Sequence, residues 1–241
     1  MEIKVYPDYK TLCRSTADLI VDYLLRKKNA LVCLASGHTP RGVFECLVQD
    51  VENKRLDVSA CTFVSLDEWI GIGARENGSC RNMMDEDFFG PLQIPESQII
   101  FFDGKAANLD EQVGEVNSII DANGGLDIML VGVGTNGHIA MNEPGTSFEA
   151  VAHISTLAEE TKIVGQKYFS TATGLSKGIT LGLKHFREAR LPILMANGSK
   201  KTSIMHKIFL STPDEMLPGS VIHLIPQGFV MLDSDAGTSG E

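Results

Sequence analysis

The sequence predicts an α/β fold: a doubly wound, mostly parallel sheet flanked by helices. Three observations lead there. Largely apolar runs the length of one buried strand recur at 30–35, 61–66, 128–133 and 191–196, as expected for strands covered on both faces. Stretches with apolar residues at helical spacing lie between them, and polar turns of Gly, Ser, Thr, Asp or Asn follow the runs. Alternating strand and helix is the pattern of a parallel sheet with right-handed crossovers. No linker, low-complexity stretch or internal repeat interrupts it, so residues 1–241 are expected to form a single domain.

In chain order, residues 2–6 alternate as a short strand, and apolar positions 12, 19, 20, 23, 24 and 25 mark an amphipathic helix from Asp8 to Lys28. Ala30–Ala35 reads as a buried strand and runs straight into Ser36-Gly37-His38-Thr39-Pro40. Pro40 suits a first helical turn, where its missing N–H has no partner to lose. Val43, Phe44, Leu47 and Val48 give that helix its apolar stripe. Cys61–Leu66 is a strand ending in Asp67-Glu68-Trp69, and Ser79 caps a helix expected to reach about Phe89. A strand at Gln98–Phe102 and a helix at Leu109–Ala122 follow, the helix stopped by Asn123-Gly124-Gly125. Beyond the strand Ile128–Val133, the pattern predicts a strand near 153–157, a helix near 159–169 and a strand turning into helix over Gly178–Leu183. Leu191–Ala196 is a strand, leading through Asn197-Gly198-Ser199-Lys200-Lys201 into a helix to about Leu210. Val221–Ile225 and Phe229–Leu232 are read as closing strands, and 233–241 as a frayed tail.

Composition narrows the function. A hydrophobic content of 43%, with 22% charged residues, is ordinary for a soluble enzyme. The formal net charge is −10, without a run of lysines and arginines. That argues against a nucleic-acid partner, which needs a basic face, but not against a small anionic substrate. The five cysteines, at 13, 33, 46, 61 and 80, show neither CxxC nor Cys/His metal spacing, so free thiols and no metal site are expected. The opening Met-Glu-Ile-Lys-Val has no apolar signal core, and no apolar run approaches the roughly 18 residues of a membrane span. A cytoplasmic protein without membrane contact is expected.

In an open α/β sheet, ligands sit beyond the carboxyl ends of the strands. Four polar turns are delivered there: Ser36 to Thr39, Asp67-Glu68, the loop from Gly134 to Glu143, and Gly198 to Lys201. Ser36 to Thr39 opens a helix and offers hydroxyls and free N–H groups to a phosphate, although a plain helix start has the same residues. Lys200 and Lys201 could clamp the same anion or be surface lysines. Successive strand side chains point to opposite faces, so only one of Asp67 and Glu68 faces a site. A carboxylate there could serve as a base, and the other would cap or pair.

Gly132-x-Gly134-x-x-Gly137 formally matches the dinucleotide fingerprint. That fingerprint opens the helix of a first βα unit, whereas these glycines lead into His138-Ile-Ala-Met-Asn-Glu143-Pro144. A nicotinamide or flavin function is therefore disfavoured. An imidazole and a carboxylate aimed by a stiff glycine turn are instead candidates for proton transfer.

The stretch Gly134-Thr-Asn-Gly-His-Ile-Ala-Met-Asn-Glu-Pro-Gly145 resembles the signature of the glucosamine-6-phosphate deaminase (isomerase) family. Ser36-Gly-His-Thr-Pro40, Ser65-Leu-Asp-Glu-Trp69, Ser79-Cys-Arg-Asn82 and Gly198-Ser-Lys-Lys201 extend the likeness over nearly the whole chain, in the family's order. The resemblance implies a Rossmann-like sheet and an enzyme that needs no metal or redox cofactor. That enzyme opens the ring of an amino-sugar 6-phosphate, isomerises the open chain and releases ammonia, leaving fructose 6-phosphate. By position, Asp67 would move the proton between C2 and C1. His138 would act at the ring oxygen, oriented by Glu143 and Asn136. Ser36, Gly37, His38, Thr39 and Lys201 would hold the phosphate, with Lys167 standing where the family has an arginine.

Departures from the family pattern are Asn136, where an aspartate is common, His38, where a small residue is usual, and Lys167, which keeps the charge but not the bidentate fork. The family's allosteric basic residues are replaced near His153 and Ser155. An unregulated enzyme, or one with a shifted sugar preference, is the expectation, and a homo-oligomer is possible. A galactosamine-6-phosphate deaminase is the nearest variant. A lactone hydrolase like the related 6-phosphogluconolactonases, and a non-catalytic sugar-phosphate sensor, are the alternatives.

Overall fold

The computed structural model describes residues 1–237. The chain runs β1 (Glu2–Tyr6), α1 (Tyr9–Arg26), β2 (Leu31–Leu34), α2 (Arg41–Glu52), β3 (Thr62–Val64), β4 (Asp67–Trp69), α3 (Cys80–Met84), β5 (Ile99–Ile100) and α4 (Leu109–Ala122). It continues through β6 (Ile128–Val131), β7 (His153–Thr156), α5 (Glu159–Gly165), β8 (Lys177–Thr180), α6 (Leu183–Glu188), β9 (Leu191–Ala196), α7 (Thr202–Leu210), β10 (Phe229–Asp233) and α8 (Ser234–Gly237).

Seven strands form one parallel sheet in the order β1-β10-β9-β6-β2-β3-β5. The strand residues alternate between two cores. Leu31, Cys33, Met129, Val131, Leu194 and Ala196 pack with Val116, Ile120, Phe186, Ile204 and Ile208 of α4, α6 and α7. Val32, Leu34, Ile128, Leu130, Ile193 and Met195 pack with Leu12, Ile20, Phe44 and Leu47 of α1 and α2. Helices thus cover both faces, as the apolar runs require. From β2 the chain winds outward through β3 to β5, and from β6 it winds the other way through β9 to β10. The reversal falls between β2 and β6, so their carboxyl ends flank the crevice of a topological switch point.

Several local expectations are corrected. Val221–Ile225 is not a strand: Pro218–Leu224 is a 3₁₀ helix. A short apolar run does not separate buried strand from buried helix. Here Pro218 presets the helical φ, and Ser220 exchanges hydrogen bonds with the N–H and C=O of Asp214. Asp67-Glu68-Trp69 does not merely end a strand. It forms its own strand, in a second, antiparallel sheet ordered β4-β8-β7. The helix expected to Phe89 changes to π geometry over Asp85–Phe89, and that near 159–169 closes as a 3₁₀ turn at Gln166–Tyr168. The strand expected over Gln98–Phe102 shrinks to Ile99–Ile100 behind a 3₁₀ turn. Of the expected tail, Asp233 belongs to β10 and 234–237 to α8, while 238–241 lie outside the described residues. No helix among the described residues is long and apolar enough to cross a membrane.

Candidate active site

Loops from the carboxyl ends of β2, β6 and β9, with β4 and the segment joining β7 to β8, enclose a cavity of about 200 Å³. Ser36, His38 and Thr39 line it after β2. Gly37 lies just behind, at φ +96°, where an added Cβ would stand 2.8 Å from the Tyr168 hydroxyl. Left-handed backbone and a neighbour this close both call for glycine. The Tyr9 hydroxyl donates to the Thr39 carbonyl at 3.0 Å and accepts the Gly42 N–H at 3.0 Å, pinning the turn to the start of α2.

On β4 the adjacent carboxylates separate as strand alternation requires. Asp67 faces the cavity. Glu68 turns away, fully buried, and accepts the Trp69, Cys80 and Arg81 N–H groups and the Ser79 hydroxyl at 2.7–3.0 Å. It is the anchor of α3, whose cap is Ser79. Burial pushes the Asp67 carboxyl up to about 7, only partly opposed by a hydrogen bond from the Cys80 thiol.

The loop after β6 aims His138. An added Cβ on Gly134 would meet the imidazole Cε1 at 2.2 Å, so the ring rests against bare backbone. The Gly134 N–H donates to the His138 carbonyl at 2.8 Å, closing the turn. Asn136 spans the loop: its Oδ1 accepts the His138 N–H at 3.1 Å, and its Nδ2 donates to Glu143 Oε2 at 3.0 Å. That same oxygen lies 3.8 Å from His138 Nδ1. The nearer partner of Nδ1 is the Thr161 hydroxyl on α5, at 3.2 Å. Burial lowers the His138 pKa, Glu143 opposes this and Lys201 adds to it, so the site favours the neutral imidazole. Glu143 Oε1 is buried without a hydrogen-bond partner among the described residues.

Two lysines complete the cavity. Lys201 closes the 3₁₀ turn after β9 and donates to the Val133 carbonyl at 2.7 Å. Its turn is braced by Asp233 at the end of β10, which accepts the Gly198 N–H. Lys167 stands over the Tyr168 ring, 4.8 Å from its centroid, and that ring stacks on His38 at 5.3 Å. Burial lowers both ammonium pKa values, Lys201 to about 8, and each lysine is further lowered by a cationic neighbour. Two half-buried cations facing one cavity complement an anion.

The structure therefore brings Ser36, His38, Thr39, Asp67, Asn136, His138, Lys167 and Lys201 to one cavity, with Gly37 and Glu143 directly behind it. Lys200 does not reach it. Cys80, Thr161 and Tyr168 line it too. Tyr168 adjoins Lys167 and Cys80 adjoins the Ser79 cap, but no spacing in the sequence marks Thr161.

Whole-chain comparisons identify the family. The model of the glucosamine-6-phosphate isomerases/6-phosphogluconolactonase family matches residues 9–229. The chain belongs to that family. Among its relatives, a glucosamine-6-phosphate deaminase of Geobacillus sp. (strain WCH70) is 32% identical over 230 residues, 95% of this chain and 92% of the relative. That of Clostridium novyi (strain NT) is 30% identical over 239 residues, 99% of each chain. A solved monomeric glucosamine-6-phosphate deaminase superposes with a TM-score of 0.94 at 29% identity, covering 98% of each chain. The 6-phosphogluconolactonase of Trypanosoma brucei, at TM-score 0.76 and 20% identity over 98% of this chain and 97% of its own, shares the fold.

Proposed function

We propose that this enzyme is a glucosamine-6-phosphate deaminase, converting the amino-sugar phosphate and water to fructose 6-phosphate and ammonia. The observation that carries the proposal is that a lysine pair, a buried carboxyl and an imidazole line one cavity. The 6-phosphate would lie against Lys167, Lys201 and the Ser36–Thr39 turn. The anchored sugar then presents its ring oxygen to His138 and C2 to Asp67, and such anchoring turns proton transfer into an intramolecular step. Neutral His138 takes and returns the ring-opening proton. Asp67, with a pKa of about 7, is matched to accept the C2 proton and deliver it to C1 near neutral pH. Asn136 orients the loop without charge, which leaves Glu143 as the carboxylate that supports a transient imidazolium.

A coupled assay for ammonia and fructose 6-phosphate tests this, with a panel of hexosamine 6-phosphates deciding between the glucosamine and galactosamine substrates. Folded protein that turns over none of them rejects it. Lactone hydrolysis that needs His138 but survives Glu143→Gln would indicate the hydrolase reading, and calorimetric binding without turnover the sensor reading. The inferred setting is a cytoplasmic enzyme of amino-sugar breakdown. A homo-oligomer is to be weighed by sedimentation against the monomeric state of the solved deaminase.

A further inference from the structure

His138 Nδ1 has two neighbours of different kind. Glu143 Oε2 belongs to the same loop but stands at 3.8 Å, beyond hydrogen-bond reach, and is already taken by Asn136 Nδ2. Asn136 is itself spent, its Oδ1 on the His138 N–H. The group that reaches Nδ1 is the hydroxyl of Thr161, at 3.2 Å. Thr161 is buried in the first turn of α5, a helix outside the His138 loop and outside the seven-stranded sheet. Its helix also contributes Glu160, Val164 and Gly165 to the cavity wall, and Lys167 follows one turn later.

We propose that Thr161 is a positioning residue for His138. Its hydroxyl accepts the Nδ1–H, holds the imidazole in the Nδ1–H tautomer with Nε2 unprotonated, and so ties the proton-transfer group to the placement of α5. Carboxylates only accept, but a hydroxyl both accepts and donates. Thr161 can meet Nδ1 in either role, and Glu143 Oε2, 3.8 Å from the same nitrogen and able only to accept, tips the pair to Nδ1–H with the hydroxyl as its acceptor. This inference rests on the deaminase reading for its kinetic consequence but not for its structural one. The charged groups bearing on the ring are Glu143 from its own loop and Lys201 from the turn after β9. Asp67, Glu160, Lys167, His38, Cys80 and Tyr168 are the other titratable side chains lining the cavity.

The test uses full-length protein with ¹⁵N-labelled histidine, read by NMR without substrate, in the wild type, Thr161→Val and Thr161→Ser. The wild type should show His138 as the Nδ1–H tautomer. Thr161→Val, which keeps the branched shape and loses the hydroxyl, should admit the Nε2–H tautomer and move the titration midpoint, and Thr161→Ser should restore both. In turnover, Thr161→Val should lower kcat about tenfold or more with little change in KM. The acid limb of its pH profile should move with the NMR midpoint. A wild-type Nε2–H tautomer overturns the proposal, even if Thr161→Val fails to fold. So does an NMR titration that is unchanged in Thr161→Val, or equally shifted in both variants. If no hexosamine phosphate is turned over, the deaminase reading fails and the NMR result still decides the role of Thr161.

Discussion

Asp67 gives the sharpest residue-scale expectation. An amide at this position cannot take a proton, so Asp67→Asn should lower kcat by at least about 100-fold, measured in the ammonia assay, while the protein stays folded. The same variant has a signed effect on stability. Burial raises the folded-state pKa from 3.8 to about 7, so the folded protein holds this proton more tightly than the unfolded chain. The group's contribution is therefore intact below pH 3.8 and is lost as pH rises through 7. Melting curves should show Asp67→Asn more stable than the wild type at pH 8, with the advantage vanishing near pH 4. Lys201 titrates in the same region for the same cause, its ammonium being lost as pH passes about 8. KM should rise above that pH, and Lys201→Arg, whose guanidinium stays charged, should flatten the rise.

At the scale of elements, the turn after β6 depends on bare backbone at Gly134. Gly134→Ala places a methyl 2.2 Å from the His138 ring, so the ring must move. Steady-state kinetics should show a loss in kcat larger than the change in KM, and thermal melting a cost of about 1–3 kcal/mol. This turn was legible in the sequence because glycines, a histidine and a glutamate sit at fixed offsets in a single loop. The strands at 30–35, 128–133 and 191–196 were legible because buried parallel strands leave unbroken apolar runs. The Val221–Ile225 segment misled for that very reason: its apolarity is real, but it is spent against α6 and α7, and Pro218 rather than periodicity sets its geometry. Strand β4 also escaped, because its three residues are held by pairing with β8, more than 100 positions downstream. Thr161 could not be read at all, since its meaning arises only when α5 packs beside a loop 23 residues earlier.

Across the whole molecule, the two ends of the sheet do different work. At the amino end of β6, fully buried Asp127 accepts from the Tyr23 hydroxyl, the Lys27 ammonium and the Leu31 N–H at 2.8–2.9 Å, stapling α1 and β2 to the sheet. Burial pushes its pKa up, but these donors outweigh it and hold the carboxyl below its ordinary value. Its stabilisation is present above pH 3.8 and is lost as pH falls through the lower folded-state value. Asp127→Ala should cost about 3 kcal/mol, lower Tm and flatten the acid side of the stability curve. Because the cavity lies at the opposite end, kcat at a permissive temperature should not change. The two cavity lysines, gathered at one site in a chain of net charge −10, fit the small anion of the proposed substrate.

The excursion between β7 and β8 carries both Lys167 and Thr161. On the proposed reading, the part of the chain that would grip the far end of a substrate is continuous with the part that touches the proposed acid–base group. Recognition and reactivity would then share one piece of backbone, and a sugar without its phosphate should forfeit more than affinity. Unphosphorylated glucosamine at saturating concentration should turn over slowly as well as bind weakly, because the energy of the distant handle is used at the reacting bond. Adding inorganic phosphate as a separate molecule should recover part of the lost rate, by settling the same segment without any covalent link to the sugar.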